Sequence, residues 1–438
     1  MAKNKKVGIL TLGCKVNQYE SEAIAEALGA MGIDAQSPDE TCDAYIINTC
    51  TVTAEADRKS RQMIRRLHTT NPNAPIIVTG CTAQSAPRQI ADIDGVCAVC
   101  GNSEKLLCAS IASRLIDGGA SEDTEIYVPD INDASFEKME LHSFPRTRVY
   151  IKIEDGCENR CAYCAIPNAR GKVRSKHPDD VLKEIGHLIS DGCPEIVLTG
   201  IETASYGRDL DDVTLADLLC RVDKLCKKTR IRLGSIYPTL FDEDFIRKIS
   251  SLSHLAPHFH ISLQSGSTKT LAAMNRRYTA EDVAAAMARL RNAIPDVIFT
   301  TDVIVGFPGE SEKEYAETRE FLINNRFLMA HIFPYSPRAG TPAANMADQI
   351  SQEKKKRRAA ELAALQQQIT REILLEQIEK KPIQNVLFET YSDGVATGHT
   401  DSFIEVSVAS ETDIRGEERL VRLLKPQKTG IMGEILKK

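Results

Sequence analysis

Apolar runs in the first hundred residues share one ending. Val7-Gly8-Ile9-Leu10-Thr11-Leu12 leads into Gly13-Cys14, Ala44-Tyr45-Ile46-Ile47 into Asn48-Thr49-Cys50, and Ile76-Ile77-Val78 into Thr79-Gly80-Cys81. Short apolar runs closed by turn residues read as buried strands, and helical periodicity over 21–31 and 54–68 places helices between them. The prediction is βαβαβ with a parallel sheet and three cysteines at strand carboxyl ends, the edge where open α/β sheets place ligands. Beyond a polar, acidic stretch at 118–145, with Glu122, Asp123, Asp130 and Asp133, that reads as a linker or subdomain crossing, the pattern changes to regular alternation. Strand-like runs at 149–153, 195–199, 231–236, 259–263, 297–305 and 329–333 alternate with helical patterns such as 179–190, 215–228 and 312–324. Six βα-type units predict a partial (β/α)6 barrel with its function at the strand carboxyl ends. Residues 351–380 form one long polar helical pattern, whose Lys354-Lys355-Lys356-Arg357-Arg358 run reads as a solvated face. Short alternating runs at 386–389, 403–408, 420–424 and 431–436, broken by Asp393-Gly394 and Gly416, predict a small antiparallel β-barrel.

Composition sharpens this picture at a few points. A length of 438 residues suggests about three domains, whose bounds are expected at 1–140, 146–372 and 373–438. With 42% hydrophobic and 26% charged residues the chain reads as soluble and globular. No apolar run approaches the roughly 20 residues of a membrane span, and Lys3-Asn4-Lys5-Lys6 is not followed by a signal-peptide core. A cytoplasmic location is expected, with no membrane partner. Thirteen cysteines, an odd number, argue for a reducing compartment and metal ligation. A formal charge of −6 gives no global attraction to nucleic acid, so RNA contacts need local basic patches.

The densest chemistry lies in Gly156-Cys157-Glu158-Asn159-Arg160-Cys161-Ala162-Tyr163-Cys164. Three thiolates at this density bind zinc or iron–sulfur. A closed tetrahedral zinc site needs a fourth ligand, and the next candidate, His177, lies beyond a Pro/Gly/Arg-containing segment. Three thiolates can instead hold three irons of a 4Fe-4S cube and leave the fourth open to chemistry. Cys14, Cys50 and Cys81 could converge on another cluster or be small buried hydrophobes. Cys97-Ala98-Val99-Cys100 lies in a strand-like run and reads as core, as do the unpatterned Cys42, Cys108, Cys193, Cys220 and Cys226.

Cys157-x3-Cys161-x2-Cys164, with Tyr163 before the third cysteine, resembles the signature of radical S-adenosylmethionine (SAM) enzymes. The resemblance extends over nearly the whole chain once Leu12–Ser21, Asn48–Thr53, Ala56–Gln62 and Gly80–Gln84 are added: together they resemble the methylthiotransferases. That family implies an amino-terminal cluster domain, a radical-SAM barrel and a terminal RNA-binding TRAM barrel. Lys15-Val16-Asn17-Gln18-Tyr19 resembles the branch acting on N6-threonylcarbamoyladenosine at tRNA position 37; the ribosomal-protein and isopentenyladenosine branches read differently after the first cysteine. By resemblance, Cys157, Cys161 and Cys164 hold the SAM-cleaving 4Fe-4S cluster, and Cys14, Cys50 and Cys81 hold a second that carries sulfur. One SAM methylates that sulfur and a second yields the radical that abstracts hydrogen from adenine C2. Tyr163, Gly200, Glu202, Ser235, Gln264, Ser265 and Gly306 become candidate SAM contacts, Glu202 for the ammonium, although Glu202 could be an exposed loop acid and Gly306 and Gly309 only turn glycines. An external electron donor, a sulfur donor of unspecified nature and a monomeric state complete the expectation. Asn168, Glu202 and Tyr237 depart from the family's usual Tyr, His and Glu. Arg58, Arg61 and Arg65, joined by Lys59 and Arg66, form a helical basic stripe that either engages tRNA phosphates or is a solvated face. One alternative keeps the methylthiotransfer but changes the target to a differently modified adenosine or a ribosomal protein; the rival class is an iron–sulfur binding or electron-transfer protein without radical catalysis.

Overall fold

The computed structural model describes residues 5–51, 53–119, 123–144 and 147–436. Lys3 and Asn4, Val52, Glu122, Pro145 and the boundaries expected at Met1, Arg146 and Lys438 lie outside the described residues.

The first unit is a six-stranded, all-parallel sheet ordered Asp34–Gln36, Lys6–Thr11, Ala44–Thr49, Ile76–Gly80, Val96–Cys100, Glu125–Tyr127. Ala44–Thr49 and Ile76–Gly80 are buried throughout, as central strands of a sheet covered on both faces must be. The order reverses between Lys6–Thr11 and Ala44–Thr49, which makes that edge the topological switch point. Two expectations need correction. The acidic stretch is not all linker, because Glu125–Tyr127 joins the sheet as its last strand. The first helix runs Lys15–Ala30, starting at Cys14 and not at residue 21; its first turns bury the polar Asn17, Glu20 and Ser21, so hydrophobic periodicity could not reveal them.

The second unit is the partial barrel. Its strands form two parallel sheets, Arg230–Leu233, Glu195–Thr199, Arg148–Lys152 and Ser235–Ile236, His258–Gln264, Ile298–Val305, Met329–Pro334. The run expected as one strand at 231–236 is divided at Gly234 between them. Capping boxes at Thr214/Asp217, Thr279/Asp282 and Ser311/Glu314 start three helices, satisfying backbone donors that have no intrahelical partner. The helix expected to reach residue 228 ends at Leu225. Gln352–Lys380 is one long helix, but Lys355 and Arg358 of its basic run are buried, contrary to the solvated-face reading. Arg358 is held by Glu310 at 3.0 Å.

The carboxyl-terminal unit is a closed five-stranded barrel, Ile383–Ser392, Val395–Thr400, Glu405–Ala409, Ile431–Ile435, Glu418–Pro426. Asp393 and Gly394 both take positive φ, 52° and 75°, and make the two-residue hairpin turn. Val395–Thr400, polar at alternate positions, was missed as a strand, and the Glu405–Ala409/Ile431–Ile435 pair is parallel, so the barrel is not wholly antiparallel. Phe403 leaves this barrel to stack between His258 of the central barrel and His399, with ring centroids 4.5 and 4.6 Å away.

Candidate active site

Cys14, Cys50 and Cys81 follow the strands Lys6–Thr11, Ala44–Thr49 and Ile76–Gly80 at the switch-point edge. A β-carbon on Gly13 would stand 2.8 Å from Cys50 Sγ, so the loop carrying Cys14 lies directly against Cys50. Cys50's carbonyl accepts from Thr82 Oγ1 at 2.9 Å, which ties the second loop to the third. Cys14 is exposed at the surface, yet desolvation by the protein atoms packed around it pushes its thiol up, with Arg170 opposing the rise and Cys81 adding to it.

The partner of this edge is Arg170, which follows the central cysteine loop on helix Ile166–Arg170 and is fully buried. Its Nε donates to Cys81 Sγ at 3.4 Å, its Nη2 to Asn17 Oδ1 at 2.6 Å and Glu20 Oε2 at 3.1 Å, and its Nη1 to Asp155 Oδ2 at 3.1 Å. Glu20 also binds Lys105 at 2.9 Å and Lys152 at 3.0 Å, and Lys105 reaches Asn48 Oδ1 at 2.8 Å. These cations hold the Glu20 carboxyl well below the usual range against the opposing effect of burial. The first and second units thus share one buried ionic network beside their facing cysteines.

The Cys157–Cys164 loop is pinned by Cys157 N to Gly171 O at 3.0 Å, Ala162 N to Met274 O at 2.9 Å and Ala343 N to Ala162 O at 2.8 Å. Arg276 Nη1 donates to Cys161 Sγ at 3.2 Å, and its guanidinium lies over the rings of Tyr237 and Tyr278 at 4.5 and 4.9 Å. Tyr237, one of the family departures, therefore buries and orients an arginine aimed at the cysteine loop. Burial pushes Cys157 and Cys164 up to about 12. Among the described residues no three donors already stand as a closed metal-ligand set. The donor chemistry nevertheless fits iron–sulfur clusters: a guanidinium N–H faces one sulfur in each group, which favours thiolate, and metal binding displaces to solvent the proton that burial would retain. His177 is not a ligand; its Nδ1 accepts from Asp179 N at 3.3 Å and caps a helix.

The proposed SAM contacts divide. Gly200 must be small, since a β-carbon there would stand 2.5 Å from Glu154 Oε2. Glu202 is buried, not an exposed loop acid; Asn159 of the cysteine loop donates to its Oε2 at 3.0 Å, and its Oε1 has no partner among the described residues. Burial pushes Glu202 up to about 7, opposed by Arg276. Glu154 beside it also keeps one unpartnered oxygen, Oε1. Tyr163 packs against the cluster of Ala162, Met274, Phe307, Tyr335 and Ala343. Gln264 takes a positive φ of 70° at a register shift between its strand and Ile298–Val305. Ser265 is spent structurally, with Oγ 3.2 Å from Thr318 Oγ1. Gly306 is a turn glycine whose N–H goes to Glu310 Oε2 at 2.5 Å. Asn168 is exposed. Sequence reasoning missed Arg276 and the role of Arg170; Arg170 sits six positions after Cys164 and Arg276 far from any motif, and only the fold aims them at sulfur.

Ser235 opens instead onto a cavity of about 280 Å³ inside the barrel, lined also by Lys15, Arg232, His258, His260, Asp302 and Phe403. A larger concavity of about 880 Å³ lies at the other end of the strands, between residues such as Phe144 and Arg148 and the terminal barrel's Glu389 and Arg415, away from the cysteines. Part of the basic stripe is paired: Arg58 with Glu55, Arg61 with Asp57 at 3.5 Å, and Arg66 with Asp39 at 3.0 Å, while Lys59 and Arg65 form no ion pair among the described residues.

Fold and site together define a radical SAM transferase. The Radical SAM superfamily model matches residues 151–322, and the Uncharacterized protein family UPF0004 matches 6–101. Threonylcarbamoyladenosine tRNA methylthiotransferase MtaB of Bacillus subtilis is 40% identical over 429 residues, covering 96% of this chain and 94% of that one. The Thermotoga maritima protein of the same name is 36% identical over 92% of this chain and 91% of its own. The tRNA-2-methylthio-N(6)-dimethylallyladenosine synthase of Dictyoglomus thermophilum is 32% identical over 99% of each. Among solved structures, the radical SAM methyltransferase TsrM of Kitasatospora setae, with cobalamin and a 4Fe-4S cluster bound, shares the fold at TM-score 0.57 and 15% identity, over 90% of this chain and 82% of that one. The chain belongs to the MtaB family of methylthiotransferases. Membership brings SAM and an iron–sulfur cluster as cofactors. No helix of the described residues is long and apolar enough to cross a membrane.

Proposed function

We propose that this chain methylthiolates C2 of N6-threonylcarbamoyladenosine at position 37 of tRNA, with Cys157, Cys161 and Cys164 holding one 4Fe-4S cluster and Cys14, Cys50 and Cys81 a second. The observation that carries the reading is the meeting of two three-cysteine groups through one residue, Arg170, which donates to Cys81 while rooted six positions after Cys164. When bound, the first cluster and SAM supply a 5′-deoxyadenosyl radical and the second supplies an open iron for sulfur. The protein's part is placement. Glu202 and Glu154 offer unpartnered oxygens to the SAM ammonium or ribose, Gly200 lets the chain approach, Tyr163 and Gln264 border the site, and Arg276 steadies Cys161. Ser235 and Gly306 are weaker assignments, the first because it faces the barrel interior and the second because its N–H is taken. The functional units are residues 1–140, 146–372 and 373–438, the last boundary falling within the helix Gln352–Lys380 that joins the two units, working as a cytoplasmic monomer with an external electron donor and a separate sulfur donor. An unactivated C2–H calls for a radical, and a loop base can be splayed from its stack to reach a buried site.

Nucleoside mass spectrometry of tRNA from cells lacking the protein tests this. The methylthio group should vanish from threonylcarbamoyladenosine alone and return with the intact gene but not with Cys161→Ala. Unchanged methylthio nucleosides beside an altered ribosomal protein would transfer the chain to another branch of the chemistry.

A further inference from the structure

The cavity inside the barrel is too elaborate to be leftover space. It is walled by Lys15, Arg232, His258, His260 and Asp302 and floored by Phe403. Its cations outnumber its anions, and the anions are already engaged. Asp302 Oδ2 stands 3.3 Å from His260 Nε2, and Glu195, the carboxylate beneath, is held by Arg148, Arg230 and Arg232 together. Arg232 is 2% exposed, yet its Nη1 has no hydrogen-bond partner among the described residues; the same holds for His258 Nδ1. A buried guanidinium N–H left unpaired costs free energy that a ligand can recover. Lys15 forms no ion pair within 4.0 Å among the described residues and sits at the solvent-open mouth beside Tyr150, its ammonium 5.9 Å from that ring. Two cationic groups with free donors, one deep and one at the mouth, specify a small anion carried on an arm. At about 280 Å³ the space falls just below the roughly 300–1,000 Å³ of pockets that take a whole drug-sized ligand.

We propose that this cavity receives the acidic N6 arm of the substrate adenosine and that Arg232 and Lys15 take its carboxylate. The inference rests on the function proposed above and specifies how that substrate is recognised. Lys15 is the residue after Cys14, so the mouth of the cavity adjoins the cysteine edge. C2 and N6 flank N1 on one edge of adenine; a base presenting C2 to that edge carries its N6 substituent to the mouth. An apolar N6 arm would leave Arg232 Nη1 unpaired, and a site built around hydrogen-bonding groups rejects analogues that lack their partner. Phe403, stacked between His258 and His399, closes the floor and limits the arm's length.

The test uses anticodon stem-loop RNAs bearing at position 37 threonylcarbamoyladenosine, its threonyl methyl ester, or unmodified adenosine. Fluorescence anisotropy gives Kd with the full-length protein, and mass spectrometry gives methylthiolated product after anaerobic reconstitution. The acid should bind about tenfold or more tighter than the ester, as expected for losing one partner of a charge pair, and Lys15→Gln should narrow that gap while leaving ester binding unchanged. Equal affinity and equal turnover of acid and ester by the unmodified protein would overturn the proposal, and the ester comparison needs no variant to fold. If none of the RNAs is methylthiolated, the functional reading fails instead, and the anisotropy gap still decides the pocket.

Discussion

Arg170 donates its Nε to Cys81 Sγ at 3.4 Å although the two residues come from different units of the chain. The same fully buried guanidinium closes on Glu20 and Asp155, so the spacing between the two cysteine groups is set by a charge network and not by apolar packing alone. Apolar contacts tolerate sliding; a forked guanidinium with fixed hydrogen-bond directions does not.

Arg170→Met should therefore cost about 3–5 kcal/mol, because two buried carboxylates lose their shared cation. Arg170→Lys keeps charge but loses the fork and should recover only part of it. Urea unfolding of the two apo variants measures this, and a loss under about 1 kcal/mol for Arg170→Met would mean Lys105 and Lys152 suffice.

The two cysteine groups should separate functionally. Replacing Cys157, Cys161 and Cys164 by Ala should lower reconstituted iron from about eight per chain to about four and abolish 5′-deoxyadenosine formation. Replacing Cys14, Cys50 and Cys81 should lower iron similarly, keep SAM cleavage and eliminate sulfur transfer. Sulfur-containing product from the second variant, or SAM cleavage by the first, contradicts the division.

Much of this was legible before any coordinates. Strands such as Glu195–Thr199 announced themselves as apolar runs, and Cys14, Cys50 and Cys81 follow the ends of three strands as the pattern of apolar runs implied, Cys81 as the first residue of the helix Cys81–Ser85. What escaped was carried by polar residues that bury. Lys15–Ala30 hides its start because Asn17 and Glu20 face a second unit, and Lys355 and Arg358 read as solvent-facing until Glu310 supplies a partner. Charge in a sequence carries no sign of whether its counterion lies far along the chain, as Glu20's does at Arg170.

Arg276 offers a spectroscopic handle. Its N–H to Cys161 Sγ at 3.2 Å would stabilise the more negative, reduced state of a cluster held there, as would its charge. Arg276→Gln should make the potential of that cluster more negative while the Cys14/Cys50/Cys81 cluster stays unmoved. Redox titration followed by electron paramagnetic resonance separates the two signals; an unshifted potential would assign Arg276 to packing against Tyr237 and Tyr278.

The last prediction concerns how the terminal barrel is held. Glu195 is fully buried between Arg148, Arg230 and Arg232, and two of these arginines continue outward, Arg148 to Glu389 at 2.7 Å and Arg230 to Glu418 at 2.9 Å, both on the terminal barrel. Arg148 and Arg232 also flank Phe403, at 5.3 and 4.9 Å from its ring. Burial alone would raise the Glu195 carboxyl; the three guanidiniums win and hold it far below the usual carboxylate range. Because the folded value is depressed, the stabilisation is complete above the unfolded pKa of about 4.3 and is lost as pH falls toward the folded value. Glu195→Gln should cost about 3–5 kcal/mol at pH 7 by leaving three buried cations short of an anion. That deficit should be about 1 kcal/mol smaller at pH 3.5, where the unmodified protein has begun to lose the same contribution. Limited proteolysis should then cut the variant first between the long helix and the terminal barrel. An equal deficit at both pH values, measured by urea unfolding of the apo proteins, would show that Glu195 acts by packing and not by charge.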